Sequence, residues 1–437
     1  MLLNKHTRRE FFAKVVFFAA SSSSLFLSCT KESAHNLDVL DVHRMNPKTY
    51  LADNYSFLTP PYSFYYKHNM HELDLRFDWI AAGDNPVHLN DTVVNQSPTL
   101  NYETRYSFRG RQYTIREYLK RTDALALLLL KGDKIVFETY LYGANRNSRF
   151  DTCSIEKSFV SCLIGIALQE GKIKDLNDGV VKYLPYLAES GYDGTTIKNL
   201  LQMTACVDWK GDWKDSNIEI HDFDVFFPAL LDGTPSFREL AKSTIRGPVA
   251  PGSKFAYQNI NTNVLGLILE KVYGLSLNKI IETKLWIPTG MEADAFVWRG
   301  KNQPDFQACG GLNATLRDYA RFGRMIVNNG LINDQQVVPE SWIKGICKPD
   351  LDFLKPKPPG PNDLVYTNFG YNNNWWLCYG DGKNHPIYAL GAFGQMIYVD
   401  SQNDFVAVQT SAQKNGEIPV LWDEMLTAFA TLAQKSY

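Results

Sequence analysis

The chain has 437 residues, 45% of them apolar, which is enough to bury a large hydrophobic core. Its 45 basic and 47 acidic residues leave a formal net charge of −2. This balance lacks the basic excess of a nucleic-acid-binding protein, so we expect no nucleic-acid partner.

The first 29 residues are predicted to be an export signal of the lipoprotein type. Basic residues between positions 5 and 14 precede apolar runs at residues 15–20 and 25–27. Thr7-Arg8-Arg9-Glu10-Phe11-Phe12 is similar to a twin-arginine signal, which implies a bacterial protein exported after folding. Cys29 resembles a lipid-attachment site, although Phe26 stands where an aliphatic residue is usual. We expect a periplasmic or cell-envelope location with a lipid anchor at Cys29; the alternative is a plain membrane anchor.

Residues 30–115 are predicted to form a tether and an N-terminal extension that packs on the main domain. From about residue 50 this part is rich in Pro, Asn and Tyr and has little periodicity. His68 and His71 form an isolated His-x-x-His, which is more typical of a packing or surface pair than of a metal site. We expect no metal and no other cofactor.

Residues 116–437 are predicted to be the main domain, beginning with a β-hairpin. Its strands lie at residues 124–130 and 135–140 and are joined by Lys-Gly-Asp-Lys. A helix follows from near Ser154 to Glu170, and Gly171 is suited to end it.

The rest of the domain is predicted to be helical in the middle and to form strands near its end. Helical patterns occur at 176–185, 197–204, 261–273, 275–285 and 315–328, strand patterns at 374–379, 395–400 and 405–410, and a last helix at 420–435. We expect an α+β fold in which both chain ends build one antiparallel sheet, flanked by N- and C-terminal helices, with an all-helical region inserted.

Ser154-Ile155-Glu156-Lys157 is the strongest candidate for chemistry. The spacing places a hydroxyl and an amine one helical turn apart on one face. The positive end of the helix favours a developing alkoxide and, together with burial, disfavours the ammonium form of Lys157. The same pattern begins at Ser28, Ser276, Ser341 and Ser411. Ser154 alone follows a hairpin and opens a long apolar helix, which favours it as the nucleophile over a helix-capping role.

Further motifs follow in a characteristic order. They are Asn199-Leu-Leu-Gln-Met-Thr204, Pro251-Gly252 with Tyr257-Gln-Asn259, Gly310-Gly-Leu-Asn-Ala-Thr315, and Gly391-Ala-Phe-Gly-Gln395. With Ser-x-x-Lys, this order resembles the serine β-lactamase/penicillin-binding-protein family, in its class C and esterase-like branch. The Gly-x-x-Gly-Gln ending is most similar to 6-aminohexanoate-dimer hydrolase-like proteins. The resemblance spans residues 120–430 and implies a β-lactamase/transpeptidase-like fold.

The resemblance also implies roles for individual residues. Ser154 would attack a carbonyl, and Lys157 or Tyr257 would take its proton; which of the two is the ionised base stays open. Asn259 would bind a substrate carbonyl or orient Lys157. An oxyanion hole is expected from the backbone amides of Ser154 and Ala392.

The neighbours of Ala392 belong to the same predicted substrate-binding strand. Gly391 would allow close approach of substrate to the strand edge, and Gln395 is grouped with it. The competing interpretation is that Gly391 and Gly394 only shape a turn.

The third family motif departs from the usual pattern. The resemblance leads us to expect Lys-Thr-Gly or His-x-Gly, but Ala389-Leu390-Gly391 stands there and supplies no cation for a substrate carboxylate. His385 is one candidate replacement. Trp209, Trp213, Trp375 and Trp376 are expected either to line an acyl or amine pocket or to pack in the core.

The sequence therefore predicts an exported serine hydrolase that cleaves a small amide or ester through an acyl-enzyme. The alternatives are a β-lactamase or DD-peptidase, and a non-catalytic cell-envelope binding lipoprotein of the same fold. Six cysteines remain after Cys29, and we expect them to be buried thiols. They are Cys153, Cys162, Cys206, Cys309, Cys347 and Cys378.

Overall fold

The computed structural model describes residues 56–58, 60, 62–91, 100–209, 218–360 and 368–435. The predicted export signal with Cys29, the tether and Trp213 lie outside the described residues. The strands are β1 Arg76–Ile80, β2 Arg105–Phe108, β3 Arg111–Thr114, β4 Ala124–Lys131, β5 Lys134–Tyr140, β6 Phe150–Asp151, β7 Val207–Asp208, β8 Ile245–Arg246, β9 Ala295–Arg299, β10 Leu312–Ala314, β11 Leu331–Ile332, β12 Gln335–Gln336, β13 Gly370–Asn372, β14 Trp375–Leu377, β15 Ile387–Gly391, β16 Gln395–Asp400 and β17 Phe405–Ser411.

The helices mostly lie between the early and the late strands. They are α1 Ser63–Tyr66, α2 Ile115–Arg121, α3 Glu156–Gln169, α4 Val180–Tyr183, α5 Ile197–Leu201, α6 Ile218–Asp232, α7 Phe237–Ser243, α8 Asn259–Tyr273, α9 Leu277–Ile281, α10 Leu316–Val327, α11 Glu340–Ile346 and α12 Pro419–Ala433. A 3₁₀ turn at Cys153–Ile155 leads into α3, and a π-helical turn at Glu282–Trp286 extends α9. Within the described ranges, no helix combines the length and apolar character needed to cross a bilayer.

A seven-stranded antiparallel sheet joins the two ends of the main domain. Its strand order is β13-β14-β15-β16-β17-β4-β5, and Val408 of the last strand pairs with Leu128 of the first hairpin. The expectation that both chain ends build one sheet is confirmed.

The apolar run at residues 124–130 serves two hydrophobic cores. Successive side chains of a strand point to opposite faces, so Leu128 and Leu130 enter one core while Leu127 and Leu129 enter the other. The first core also contains α3, α8 and α10, and the second contains α2 and α12. A strand buried on both faces reads as a continuous apolar run, as this one does.

A second sheet connects the N-terminal extension to the segment before Ser154. Its order is β1-β9-β10-β6, and β1 pairs with β9 from Arg76–Arg299 to Ile80–Ala295. These short strands, and the two-stranded ribbon formed by β7 and β8, were not indicated by periodicity. The extension thus supplies an edge strand to a sheet whose opposite edge, β6, leads into the turn that carries Ser154, called here the nucleophile turn after the predicted role of Ser154.

Candidate active site

Ser154 lies in a tight turn between β6 and α3. Cys153, the residue before it, has a φ of 49°, in the left-handed region that costs a non-glycine residue free energy. The backbone of this turn packs on Gly310, where an added Cβ would lie 3.0 Å from the carbonyl carbon of Cys153. Ser154 is partly exposed at the start of the helix, whereas Lys157 on its first turn is buried.

Lys157 connects Ser154 to two carbonyl oxygens. Its Nζ lies 2.8 Å from Ser154 Oγ, 2.9 Å from Asn259 Oδ1 and 2.6 Å from the carbonyl oxygen of Cys309. An ammonium group would donate to all three atoms. A neutral amine would donate to the two carbonyl oxygens and aim its lone pair at the serine hydroxyl. The arrangement therefore suits a lysine that exchanges a proton with Ser154.

The charge next to Lys157 is reduced by burial of Glu156. The Glu156 side chain is fully buried, and this burial raises its pKa well above the usual value, against the opposing effect of Lys157. Burial therefore favours the neutral form of Glu156 and weakens the negative charge that would stabilise an ammonium on Lys157.

Tyr257 lies against Lys157 on a loop that precedes α8. Lys157 Nζ is 5.0 Å from the centroid of the Tyr257 ring, and the other side of the tyrosine packs on Trp376 with centroids 5.6 Å apart. Two backbone hydrogen bonds anchor the loop: Gly252 N donates to Thr204 O, and Ala256 N donates to Met203 O, both at 2.8 Å. The motif at residues 199–204 thus holds the segment that carries Tyr257.

Gly391 brings the end of β15 against the nucleophile turn. An added Cβ there would lie 2.1 Å from the carbonyl oxygen of Thr152, so only glycine allows this approach. Within the described residues, the backbone amides of Ser154 and Ala392 are not among the loop and turn amides that donate to a backbone carbonyl. Two amide donors therefore stand on facing segments, as an oxyanion hole requires.

Gln395 is not brought to the open side of this strand. It is fully buried, and its Nε2 donates to the carbonyls of Ala392, Phe393 and Ser411 at 3.2, 3.1 and 2.7 Å. Its contacts hold the turn between β15 and β16 in place. The Gln395 side-chain amide holds Ala392 from the buried side of the turn. Contact with substrate is therefore left to the backbone on the open side.

Of the tryptophans predicted to line a pocket or to pack in the core, one lies beside the site and two lie in the core. Trp376 packs on Tyr257 beside the site, whereas Trp375 and Trp209 are buried in the first core. His385 Nδ1 lies 2.7 Å from the carbonyl oxygen of Tyr379, which can only accept a hydrogen bond. It lies six residues before Gly391, which is about 20 Å along an extended strand.

His68 and His71 do not share one environment. His68 is buried beside the rings of Tyr65 and Phe150, and His71 is exposed. Burial lowers the pKa of His68 to about 4. Among the described residues, no group of three or more His, Cys, Asp or Glu side chains is arranged to hold a metal ion.

Within the described residues, no two cysteines form a disulfide. Cys162, Cys206, Cys309 and Cys378 are buried, and Cys153 and Cys347 are partly exposed. Sequence reasoning missed two contributions here: the Cys309 carbonyl as an acceptor for Lys157, and Cys153 as the strained residue before the nucleophile. A backbone acceptor has no side-chain signature, and left-handed φ values are read from sequence mainly at glycine and asparagine.

Comparison with known proteins identifies the family of the chain. A family model described as Beta-lactamase matches residues 112–426. The chain is 30% identical over 307 residues to the 6-aminohexanoate-dimer hydrolase of Paenarthrobacter ureafaciens, covering 68% of this chain and 75% of that protein.

Solved structures of low sequence identity share the fold. A Bacillus anthracis protein provisionally named a 6-aminohexanoate-dimer hydrolase superposes with a TM-score of 0.73 at 22% identity, covering 86% of this chain and 95% of its own. A class C beta-lactamase superposes with a TM-score of 0.53 at 15% identity, covering 74% and 94%.

Proposed function

Because the chain belongs to the beta-lactamase family and is a serine hydrolase, we propose that it cleaves small linear amides or esters through an acyl-enzyme on Ser154. The observation that carries the proposal is the contact of Lys157 Nζ with Ser154 Oγ at 2.8 Å, completed by Asn259 and the Cys309 carbonyl. A purely binding protein of this fold would have no need for a buried amine on a partly exposed hydroxyl.

The proton relay follows from these contacts. Neutral Lys157 takes the proton of Ser154 as the serine oxygen bonds to the substrate carbonyl carbon. The leaving amine or alkoxide then receives a proton through Lys157 and Tyr257, which lie against each other. Water attacks the acyl-enzyme by the reverse route, so the same two groups act as base and then as acid.

Charge on the carbonyl oxygen would be stabilised by the amides of Ser154 and Ala392. Both amides belong to backbone that is held rigidly, one by the strained turn at Cys153 and the other by Gln395. Preorganised donors of this kind stabilise the tetrahedral intermediate more than the planar substrate.

The substrate class follows from the strand that carries Ala392. Ala389 is buried in the first core and Leu390 in the second, so the strand offers no cation where the family's third motif has one. A substrate without a carboxylate at that position loses nothing. This supports linear amides and esters that place no carboxylate at that position over β-lactams, which carry one; the relative's name refers to a linear amide.

The proposed location rests on the N-terminal residues alone. Thr7 to Phe12 has the twin-arginine pattern and Cys29 the position of a lipid-attachment residue. We propose export across the inner membrane and attachment to the cell envelope through an acyl chain at Cys29.

Covalent labelling tests the nucleophile. The purified enzyme should react with a fluorophosphonate, and Ser154→Ala should not, while Ser341→Ala should react as the wild type does. Ser341 is a matched control because it also starts a Ser-x-x-Lys on a helix, but its side chain is exposed and no family motif surrounds it. Undiminished labelling of Ser154→Ala would show that another residue is the nucleophile.

A hydrolysis panel tests the substrate class. We expect turnover of short linear amides and p-nitrophenyl esters at rates well above that of a chromogenic cephalosporin. Efficient cephalosporin hydrolysis with little ester or amide turnover would contradict the proposal and indicate a cation recruited from another element.

A further inference from the structure

Lys67 of the N-terminal extension is buried directly behind the nucleophile turn. Its side chain is 1% exposed, and its Nζ lies 2.6 Å from Asp151 Oδ2 and 3.0 Å from Cys153 Sγ. Asp151 ends β6, and Cys153 immediately precedes Ser154. A cation from the extension therefore contacts the segment that carries the nucleophile.

The same ammonium also contacts the turn between β15 and β16. Lys67 Nζ lies 5.0 Å from the centroid of the Phe393 ring, within the range of a cation–π interaction. Phe393 immediately follows Ala392, the second predicted oxyanion donor. One buried cation thus contacts the neighbours of both amides that would hold the oxyanion.

Both of these neighbours have strained backbones. Cys153 has a φ of 49° and Phe393 a φ of 66°, although neither is glycine. Such conformations persist only where the surrounding structure holds them, and they are concentrated at functional sites. Because Cys153 and Phe393 adjoin Ser154 and Ala392, their conformations constrain the backbone segments that carry the two amides.

Asp151 makes the contact rigid. Its Oδ1 accepts from Trp298 Nε1 at 3.1 Å, and its backbone N donates to the carbonyl oxygen of Lys67 at 2.8 Å. Lys67 and Asp151 are therefore joined through both side chain and main chain. A buried ion pair of this kind is costly to break from one side.

The network does not itself exchange protons near neutral pH. Burial alone would lower the pKa of Lys67, but Asp151 and Cys153 outweigh it and keep the lysine charged. Burial and the neighbouring Asp151 raise the pKa of Cys153 to about 12, so the sulfur stays a thiol. Neither residue is a competing base or nucleophile, and a positioning role is what the contacts support.

We propose that Lys67 is a positioning residue that sets the separation and direction of the Ser154 and Ala392 amides. Lys67 lies outside residues 112–426, which the family model matches. The N-terminal extension would then complete the catalytic site from behind. This inference rests on the proposed acyl-enzyme mechanism.

The main test is Lys67→Met in the whole chain, measured after active-site titration. A displacement of about 1 Å at a reacting group can cost on the order of 100-fold in rate. We therefore expect kcat on an ester substrate to fall about 10- to 100-fold, with KM changed by less than about threefold. Affinity for a boronic acid that mimics the tetrahedral adduct should fall by a similar factor, because interactions made only in the transition state are lost.

Asp78→Asn is the matched control for general destabilisation. Asp78 also lies in the extension and pairs with a buried arginine, Arg299, at 2.7 Å, but contacts neither Cys153 nor Phe393 in the described structure. We expect this variant to lower the melting temperature while kcat stays within twofold of the wild type.

Two further variants retain the Lys67–Asp151 pair, so they test the inference even if Lys67→Met does not fold. Cys153→Ala and Phe393→Leu each remove one contact of the ammonium, and each should lower kcat about three- to tenfold with KM unchanged. Wild-type kcat in folded Lys67→Met, or in both of these variants, would overturn the proposal. So would a kcat loss in Asp78→Asn equal to that in Lys67→Met. Failure of the proposed mechanism would appear separately, as a wild-type protein that no serine probe labels.

Discussion

Replacing Gly391 by alanine tests whether the close approach of β15 to the nucleophile turn is needed for catalysis. The added Cβ would lie 2.1 Å from the Thr152 carbonyl oxygen, and contacts shorter than 3.0 Å are essentially never found. The strand and the turn must therefore separate by about 0.9 Å along this direction. Rotation of a side chain cannot relieve this contact, because the Thr152 oxygen belongs to the backbone and a Cβ is fixed by its own backbone.

The expected loss follows from this displacement. If Ala392 moves with the strand, its amide leaves hydrogen-bonding distance of an oxyanion that Ser154 still holds. Losing one oxyanion donor typically costs about 100- to 1000-fold in kcat. The overpacked contact should also destabilise the fold by roughly 1–3 kcal/mol. Substrate binding depends less on this donor, so KM should change little.

Two other glycines provide a graded comparison. Gly345 has no atom within 4 Å of an added Cβ and lies in α11, so Gly345→Ala should leave kcat unchanged and slightly stabilise the helix. An added Cβ at Gly310 would lie 3.0 Å from the carbonyl carbon of Cys153, an intermediate contact. We expect kcat to be highest in Gly345→Ala, lower in Gly310→Ala and lowest in Gly391→Ala. The value of kcat is measured as ester turnover per titrated site, and the melting temperature of each variant is measured in parallel.

A Gly391→Ala enzyme that folds and keeps kcat within about twofold of the wild type would refute this reasoning. The same holds if kcat falls only as far as the fraction of folded enzyme does. Either result would make Gly391 a turn residue and place the second oxyanion donor elsewhere.

The remaining predictions concern the relay, stability and anchoring. Lys157→Ala and Tyr257→Phe should each lower kcat by about two to four orders of magnitude. In the double variant kcat should fall by much less than the product of the two single losses, because the residues act as one unit. Losses that multiply would show that the two residues do not share a proton relay. Because burial lowers the pKa of His68 to about 4, the unfolded chain binds the extra proton between about pH 6.5 and 4, and stability falls as the pH falls. His68→Phe should therefore lose less melting temperature between pH 7 and pH 5 than the wild type, and an equal loss would mean that His68 is not responsible. Cys29→Ser should release the protein from membranes in fractionated cells, and unchanged fractionation would indicate a helical anchor instead.

The large elements of the fold could be predicted because each buries a long apolar pattern. The strand at residues 124–130 serves two cores and therefore reads as one apolar run, and α10 and α12 each place a broad buried face on the sheet. The four-stranded sheet could not be predicted in this way. Its strands β6 and β10 have two and three residues, which is too few to show the alternation of apolar and polar residues that indicates a strand.

The candidate catalytic side chains could be identified from the sequence because their spacing is local or their motif is distinctive. Ser154 and Lys157 are one helical turn apart, so a helix alone brings them together. Tyr257 and Asn259 need the tertiary fold, but their motif and its order along the chain marked them. The structure adds the distances and shows that Asn259 contacts Lys157 directly.

Lys67 shows where reasoning from the sequence ends. A lysine in a Pro- and Tyr-rich extension is expected to be exposed, since lysine is almost never fully buried unless paired. Its partner, Asp151, is 84 residues away, and the two meet where the extension packs on β6. Once the pair is formed, its position behind Cys153 follows from covalent geometry, because Cys153 is two residues after Asp151. The extension therefore contacts the segment that precedes Ser154 through an ion pair that no local sequence pattern encodes.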